Sequence, residues 1–384
     1  MSYLKSFSLL LGRFILKIFY VFPVAKDKVV FIAFDGRQYS CNPKYIYKYM
    51  KRVNYENKNL HWVFNEPENF TELSNEGVKL VKNKTLSHIY HMLTAKVIVT
   101  NASLSSFLPL RKKQKLIETW HGGGAYKKTG RDVARSEFKD TKLKIIAYEI
   151  TGFISSSAKF TQTKSKNHLV PKDKFWEIGM PRNDVLFNKE IEQELNKKVR
   201  EYYKIDADTK IVLYAPTLRN DKSDTTSYES LNVPGIIDSL SKRFKDDNWV
   251  VMFRMHYLLD PSKNIKNAIN VSDYNDSQEL VCAADILISD YSSIMWDFTF
   301  TERPCFVYAP DAEKYAKERA FFTPIKKWPY PVAFNNEQLQ ENILNFDQAK
   351  YLTEIKRHHQ VQGSFESGTA TDIVVNRINE WINS

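Results

Sequence analysis

Residues 271–310 read VSDYNDSQELVCAADILISDYSSIMWDFTFTERPCFVYAP. Asp285 to Asp290 is a short run, apolar at its centre and bounded by carboxylates, the pattern of a buried strand. Ile294 to Phe300 has the apolar weight of a helix, and Cys305 to Tyr308 supplies a second strand, so the stretch reads as a βαβ unit. Between the first strand and the helix stand Tyr291, Ser292 and Ser293. Hydroxyl residues at that point either cap a helix in the ordinary way or help its unpaired N–H groups to hold a phosphate. The stretch alone does not choose between these; the other strand ends weigh on the choice.

The same alternation continues outward in both directions. In the second half, Lys210 to Ala215 is a strand running into Pro216-Thr217-Leu218-Arg219. Trp249 to His256 is a strand ending in histidine, with Arg254 and His256 two apart and therefore on one face. A basic loop with Lys326 and Lys327 follows, then helices over 337–345 and 373–382. In the first half, Lys28 to Phe34 is a nearly continuous apolar strand of the buried parallel type. Further strands are expected at 60–65, 78–81, 96–100, 115–120 and 150–154, with helices opening at Asn42-Pro43 and over 87–95.

The strand over 115–120 ends in His121-Gly122-Gly123-Gly124-Ala125-Tyr126-Lys127-Lys128. Three glycines let the backbone approach a ligand closely, and a histidine at a strand end can accept a proton near neutral pH. Lys127 and Lys128 can meet an anionic group; a flexible turn with one exposed histidine is the plainer alternative. Trp176 to Asp184, followed by a charged helix over 189–203, marks a crossing between domains near residue 188. The expected organisation is an amino-terminal amphipathic helix at 1–26, a first domain at 27–188 and a second at 189–384. Asp206-Ala207-Asp208 has the form of a metal-holding acidic motif, but it precedes a strand after a charged helix and reads as a polar turn.

Length of 384 residues calls for more than one core, and 43% hydrophobic with 14% aromatic content argues against disorder. A net charge of +11 points to anionic partners such as phosphates, nucleotides or an acidic membrane surface. Nucleic acid is disfavoured, because the basic residues are dispersed and no binding motif is present. Cys41, Cys282 and Cys305 have no metal-ligand spacing and suit a reducing cytoplasmic setting. Residues 2–24 are apolar but interrupted by Lys5, Arg13 and Lys17. The run is too short to cross a bilayer and no signal cleavage site follows, which leaves a helix on the membrane surface or a domain-packing helix.

Ligands of parallel α/β sheets bind outside the carboxyl ends of the strands. His121 stands at such an end in the first half, and Arg219, His256, Asp290, Ser292 and Ser293 in the second. Two such sheets facing one another would gather them into one cleft. A histidine there can take a proton from an attacking hydroxyl while arginine and a second histidine stabilise phosphate charge, which is the inventory of phosphoryl-type transfer.

At this point five separated motifs resemble the CDP-glycerol glycerophosphotransferases of teichoic acid and capsule assembly: TWHGGG with Lys127-Lys128, GMPRND at 179–184, YAPTLR at 214–219, FRMHY at 253–257, and VSDYNDSQEL with ISDYSSIMWDF. The resemblance implies an α/β, GT-B-like fold of two facing Rossmann-like domains. It also implies transfer of glycerol phosphate, or ribitol phosphate in close relatives, from a CDP-alditol to a hydroxyl, with release of CMP. By position, His121 matches the essential histidine expected to act as base, and His256 a second one at the donor pyrophosphate. Ser292 and Ser293 match hydroxyls that hold donor phosphate, Asp290 shapes their turn, and Arg254 and Arg219 add positive charge. Arg182 and Asn183 are expected near the nucleotide, and Thr217 belongs to the same set of binding residues. The acceptor implied is a polyprenyl-diphosphate-linked saccharide or a growing polymer, at the cytoplasmic face of the cell membrane. No cofactor is firmly implied, and metal dependence and self-association are left open.

Gly122-Gly123-Gly124 departs from the Gly-Thr-Pro that follows this histidine in many members, so acceptor or alditol preference can differ. A GT-B glycosyltransferase using a nucleotide sugar and a non-catalytic binder of anionic polymer or lipid are the competing classes. The nucleotide product separates the first from the transferase, and the effect of replacing His121 separates the second.

Overall fold

A computed structural model describes residues 2–53, 59–133, 135–217, 219, 230–255, 265–318 and 320–384. By its internal contacts the chain divides into two units. The first comprises residues 1–121, 129–184 and 364–384; the second comprises 122–128 and 185–363. Each is an α/β layer structure around one parallel sheet.

The first sheet contains β1 (Val29–Ile32), β2 (Leu60–Phe64), β3 (Lys79–Lys82), β4 (Val97–Thr100), β5 (Lys115–Glu118), β6 (Ile150–Ser155) and β7 (Phe175–Glu177). Their order is β3-β2-β1-β4-β5-β6-β7, all parallel. Every residue of β1, β2 and β4 is buried, as expected when helices cover both faces and no polar side is needed. At the edge, β3 exposes Lys79 and Lys82, charges that discourage further strand pairing.

The second sheet contains β8 (Lys210–Ala215), β9 (Trp249–Phe253), β10 (Ile269–Asn270), β11 (Ile286–Ser289), β12 (Cys305–Tyr308) and β13 (Val332–Ala333). Its order, β10-β9-β8-β11-β12-β13, repeats the logic of the first. In each sheet the order reverses once, between β1 and β4 and between β8 and β11. Such a switch point opens a crevice at the strand carboxyl ends.

The opening βαβ unit forms as β11, the helix Ile294–Phe298 and β12; residues Thr299–Thr301 continue the helix as a single 3₁₀ turn. The strand expected through His256 ends at Phe253, so Arg254 lies beyond it, and residue 256 is outside the described residues. Two helices absent from the sequence reading, Glu137–Glu149 and Ala158–His168, have weakly amphipathic sequences. Their start signals are plain: Ser136 and Ser157 accept the N–H groups of Lys139 and Phe160.

The carboxyl-terminal helix Ala370–Asn383 belongs to the first unit although it follows the second in sequence. It packs on the helix Cys41–Arg52, burying Val374, Val375, Ile378 and Ile382, and its Asp372 accepts the Tyr49 hydroxyl at 2.7 Å. At the other end of the chain, the helix Ser2–Leu16 docks on the first unit by one side only. Leu9 and Leu16 are buried, Gly12 lies against the Phe107 ring, and Arg13 bonds the carbonyls of Ser106 and Leu108 and the Glu149 carboxylate. Tyr3, Leu4, Phe7, Phe14, Ile15 and Ile18 remain exposed. Among the described residues no helix is long and apolar enough to cross a membrane.

Candidate active site

In the first unit the switch point is bridged by one residue, Asn101, just past β4. Its side-chain oxygen accepts the N–H of Phe34 beyond β1, at 2.8 Å, and its backbone carbonyl meets Nδ1 of His121 beyond β5, at 2.6 Å. A carbonyl only accepts, so Nδ1 carries the hydrogen and the basic lone pair of the neutral ring is on Nε2. The ring packs against Phe34 at 5.6 Å and stacks on Trp120 at 4.7 Å.

The backbone beneath this imidazole is strained and heavily tied. Trp120 has φ of +53°, a left-handed conformation that costs about 1–2 kcal/mol in a residue with a Cβ. Asn42 offsets it: its amide donates to the carbonyls of Thr119 and Trp120 at 3.1 and 3.0 Å and accepts the N–H of Arg182 at 3.0 Å. Glu118 accepts the N–H of Trp120 at 2.9 Å, and Arg182 donates to the carbonyl of His121 at 2.9 Å and to the sulfur of Cys41 at 3.1 Å.

Arg182 and Asn183 thus lie in the first unit, both buried. Asn183 donates to Glu366 at 3.1 Å, and the same carboxylate accepts the N–H of Met180 at 2.9 Å. The GMPRND motif therefore joins the His121 backbone to the returning carboxyl-terminal segment.

After His121 the chain enters the second unit with Gly122–Lys128. A Cβ on Gly122 would fall 2.3 Å from the Ser293 hydroxyl, and one on Gly123 would fall 2.3 Å from Cδ1 of Trp296. Packing requires these two glycines, and a φ of +74° requires Gly124. Tyr126 anchors the loop, its hydroxyl 2.7 Å from that of Tyr330 and 3.1 Å from Nε2 of His358. Half-buried Lys127 and Lys128 pair through their backbones with Phe321 and Ala320.

The second switch point is bridged by Asp290. Its carboxylate accepts the N–H of Thr217, beyond β8, at 2.8 and 3.0 Å, and that of Tyr291. Arg219 forks between Asp290 at 2.8 Å and Asp311 at 2.6 Å, and donates to the Thr217 carbonyl at 2.6 Å. Burial works against the Arg219 charge, but the two carboxylates outweigh it and hold the guanidinium protonated. Ser292 and Ser293 are half-buried at the start of the helix Ile294–Phe298, and Ser292 Oγ accepts the N–H of Ile294 at 3.4 Å. Arg254 donates to the carbonyls of Tyr274 at 2.6 Å and Val271 at 3.2 Å. His256 and residues 257–264 lie outside the described residues, as do Leu218 and 220–229.

The structure therefore brings His121 and Arg182 together in one unit, and Thr217, Arg219 and Asp290 in the other. Sequence reasoning missed Asn42, Asn101, Glu366 and Asp311, which hold these residues. Asn101 directly follows an apolar strand, a signal of the same kind that selected His121. Among the described residues no group of three or more histidine, cysteine or acidic side chains converges as a metal site.

Residues 14–380 match the family described as CDP-Glycerol:Poly(glycerophosphate) glycerophosphotransferase. The teichoic acid poly(glycerol phosphate) polymerase of Bacillus spizizenii is 30% identical over 362 residues, covering 88% of this chain and 89% of that protein. The polymerase of the same description from Staphylococcus epidermidis is 30% identical over 374 residues, 94% of this chain, which spans about half (51%) of its length. The solved wall teichoic acid polymerase TagF superposes over 100% of this chain and 98% of that one, with a TM-score of 0.80 and 28% identity. A histidine-to-asparagine variant of TagF, soaked with CDPG, matches equally well. The architecture is accordingly the expected GT-B-like pair of parallel α/β units. The chain belongs to the CDP-glycerol:poly(glycerophosphate) glycerophosphotransferase family.

Proposed function

We infer that this protein transfers glycerol phosphate from CDP-glycerol to a hydroxyl of a lipid-linked saccharide or growing teichoic acid or capsule polymer. His121 is the general base. The observation that carries the assignment is its Nδ1 bond to the Asn101 carbonyl, which leaves the ring's basicity on Nε2. Nε2 takes the acceptor proton as the hydroxyl oxygen attacks the phosphorus bearing glycerol. The bond from that phosphorus to the bridging oxygen breaks, and CMP leaves with the electron pair.

Ser292, Ser293, Lys127 and Lys128 are the donor-phosphate contacts, with His256 beside the pyrophosphate. Thr217, Arg219 and Asp290 act by fixing the turns that carry them, and Arg254, Arg182 and Asn183 by fixing the ends of their own segments. The exposed apolar side of the helix Ser2–Leu16, with Lys5 and Lys17, suits the anionic cytoplasmic face of the membrane, where a polyprenyl-linked acceptor resides. Glycerol is preferred to ribitol because the similar polymerases reported above carry glycerol phosphate in their names.

The test is CMP release from CDP-glycerol with a lipid-linked saccharide acceptor, comparing wild type with His121→Ala and His121→Asn. A loss of kcat of about 10² or more in both variants is expected for removal of a general base. Turnover within threefold of wild type would remove His121 from that role.

A further inference from the structure

Behind Trp120 lies a buried group of ionisable side chains that the transfer chemistry does not use. Lys164, on the helix Ala158–His168, is 4% exposed. Its Nζ stands 3.5 Å from the centre of the Trp120 ring and donates to Thr129 Oγ1 at 3.0 Å. The His121 imidazole stacks on the same indole at 4.7 Å with 19° between the planes. A ring stacked that closely and an amine over the ring centre would overlap on one face, so they take opposite faces with the indole between them.

Two further groups close the assembly. His168 meets the indole edge-on at 5.0 Å, and burial, with Lys164 and His121 as neighbours, lowers it to about 3, so it stays neutral. Glu118, from β5, is 1% exposed, and its carboxylate holds the Trp120 N–H. Burial pushes Glu118 up to about 8 and Lys164 well down, and each group opposes the other's shift. Arg182, on the His121 carbonyl, is a further charged group beside the pair of rings.

Burying an amine is unfavourable, and a methionine of similar length would fill the same space without that cost. What the amine adds is N–H contact with the indole face and a hydrogen bond to Thr129. We propose that Lys164 is a positioning residue for His121, acting through Trp120: it clamps the indole from behind, and the indole holds the imidazole with Nδ1 on Asn101. The proposal rests on the reading of His121 as the base. It predicts that the clamp affects turnover more than donor binding.

Lys164→Met, Lys164→Arg and Trp120→Phe are compared with wild type and His121→Ala in CMP release. Ring ¹⁵N NMR of His121 supplies a readout independent of turnover. Lys164→Met should lower kcat about tenfold with the KM for CDP-glycerol within about twofold, and should turn a single Nδ1–H tautomer into a mixture. Lys164→Arg keeps N–H donors over the indole and should recover most of kcat. Unchanged kcat, or an unchanged tautomer signal, in Lys164→Met overturns the proposal. If that variant does not fold, Trp120→Phe decides: about threefold lower kcat at constant KM supports the clamp, and wild-type kcat overturns it. Turnover by His121→Ala, with the tautomer response to Lys164→Met intact, overturns the base assignment instead and still supports the clamp.

Discussion

Gly123→Ala replaces one hydrogen with a methyl group, and the surroundings fix what that does. The new Cβ would fall 2.3 Å from Cδ1 and 2.5 Å from Nε1 of Trp296. Carbon atoms in contact prefer about 3.5–4.0 Å, so more than about 1 Å of separation has to be created. Trp296 has no room to retreat. It is fully buried, with Phe300 at 5.7 Å, His358 at 5.9 Å and His359 at 5.2 Å around its ring. The loop must lift, and its neighbour Tyr126 is pinned by Tyr330 and His358, so the displacement is directed back toward Gly122 and His121.

Overpacking of this kind destabilises by about 1–3 kcal/mol, and a 1 Å misplacement of a catalytic group lowers turnover by about 10². The assay is kcat and KM for CMP release from CDP-glycerol, with thermal melting in parallel. Gly77→Ala is the control: its φ of +83° makes alanine strained, but nothing lies within 4 Å. Both variants should melt a few degrees lower, while only Gly123→Ala loses turnover. Gly123→Ala with kcat within threefold of wild type, or no worse than Gly77→Ala, would refute the packing argument.

Other expectations follow from the same geometry. Arg219→Lys replaces a fork by a point charge and leaves buried Asp290 and half-buried Asp311 poorly paired, so a loss of about 2–4 kcal/mol is expected in urea unfolding. Burial depresses His61 and His168 to about 3, and His88, His91, His358 and His359 to about 4. The unfolded chain binds their protons from pH 6.5 downward while the folded chain does not, so stability should fall steeply from pH 6.5 towards 4. Urea titrations across that range should report net uptake of several protons on unfolding, even though the raised carboxyls of Glu118, Glu149 and Asp184 work in the opposite direction. Phe7→Glu with Phe14→Glu, both on the exposed side of the first helix, should reduce sedimentation with anionic vesicles about tenfold without changing the melting temperature. Equal sedimentation would remove that helix from membrane binding.

The two-sheet architecture was legible because buried parallel strands are nearly unbroken apolar runs; β1, β4 and β8 need no tertiary information to be found. Strand ends were less legible. Nothing local distinguishes Phe253, the last residue of β9, from Arg254 beyond it. The affiliation of the carboxyl-terminal helix with the first unit was not readable either, because its apolar face fits a partner more than 300 positions away, as the separation of 323 between Tyr49 and Asp372 records. Candidate charges were easy to select and their duties were not. Arg219 and Asp290 attract attention as polar residues at strand ends and Asn183 through the family resemblance, yet their side chains bond to other parts of the protein. The residues that hold His121, Asn42 and Asn101 above all, are neutral amides whose role appears only when backbone groups from distant segments meet them.

The nature of the nucleotide released tests the central claim most directly. Purified protein is offered CDP-glycerol, CDP-ribitol and a nucleotide sugar with the same lipid-linked acceptor, and the nucleotide product is identified by chromatography. Attack at the glycerol-bearing phosphorus predicts CMP from CDP-glycerol, with glycerol phosphate gained by the acceptor. A nucleoside diphosphate released from the nucleotide sugar, with CDP-glycerol left intact, would contradict the account and identify a glycosyl transfer.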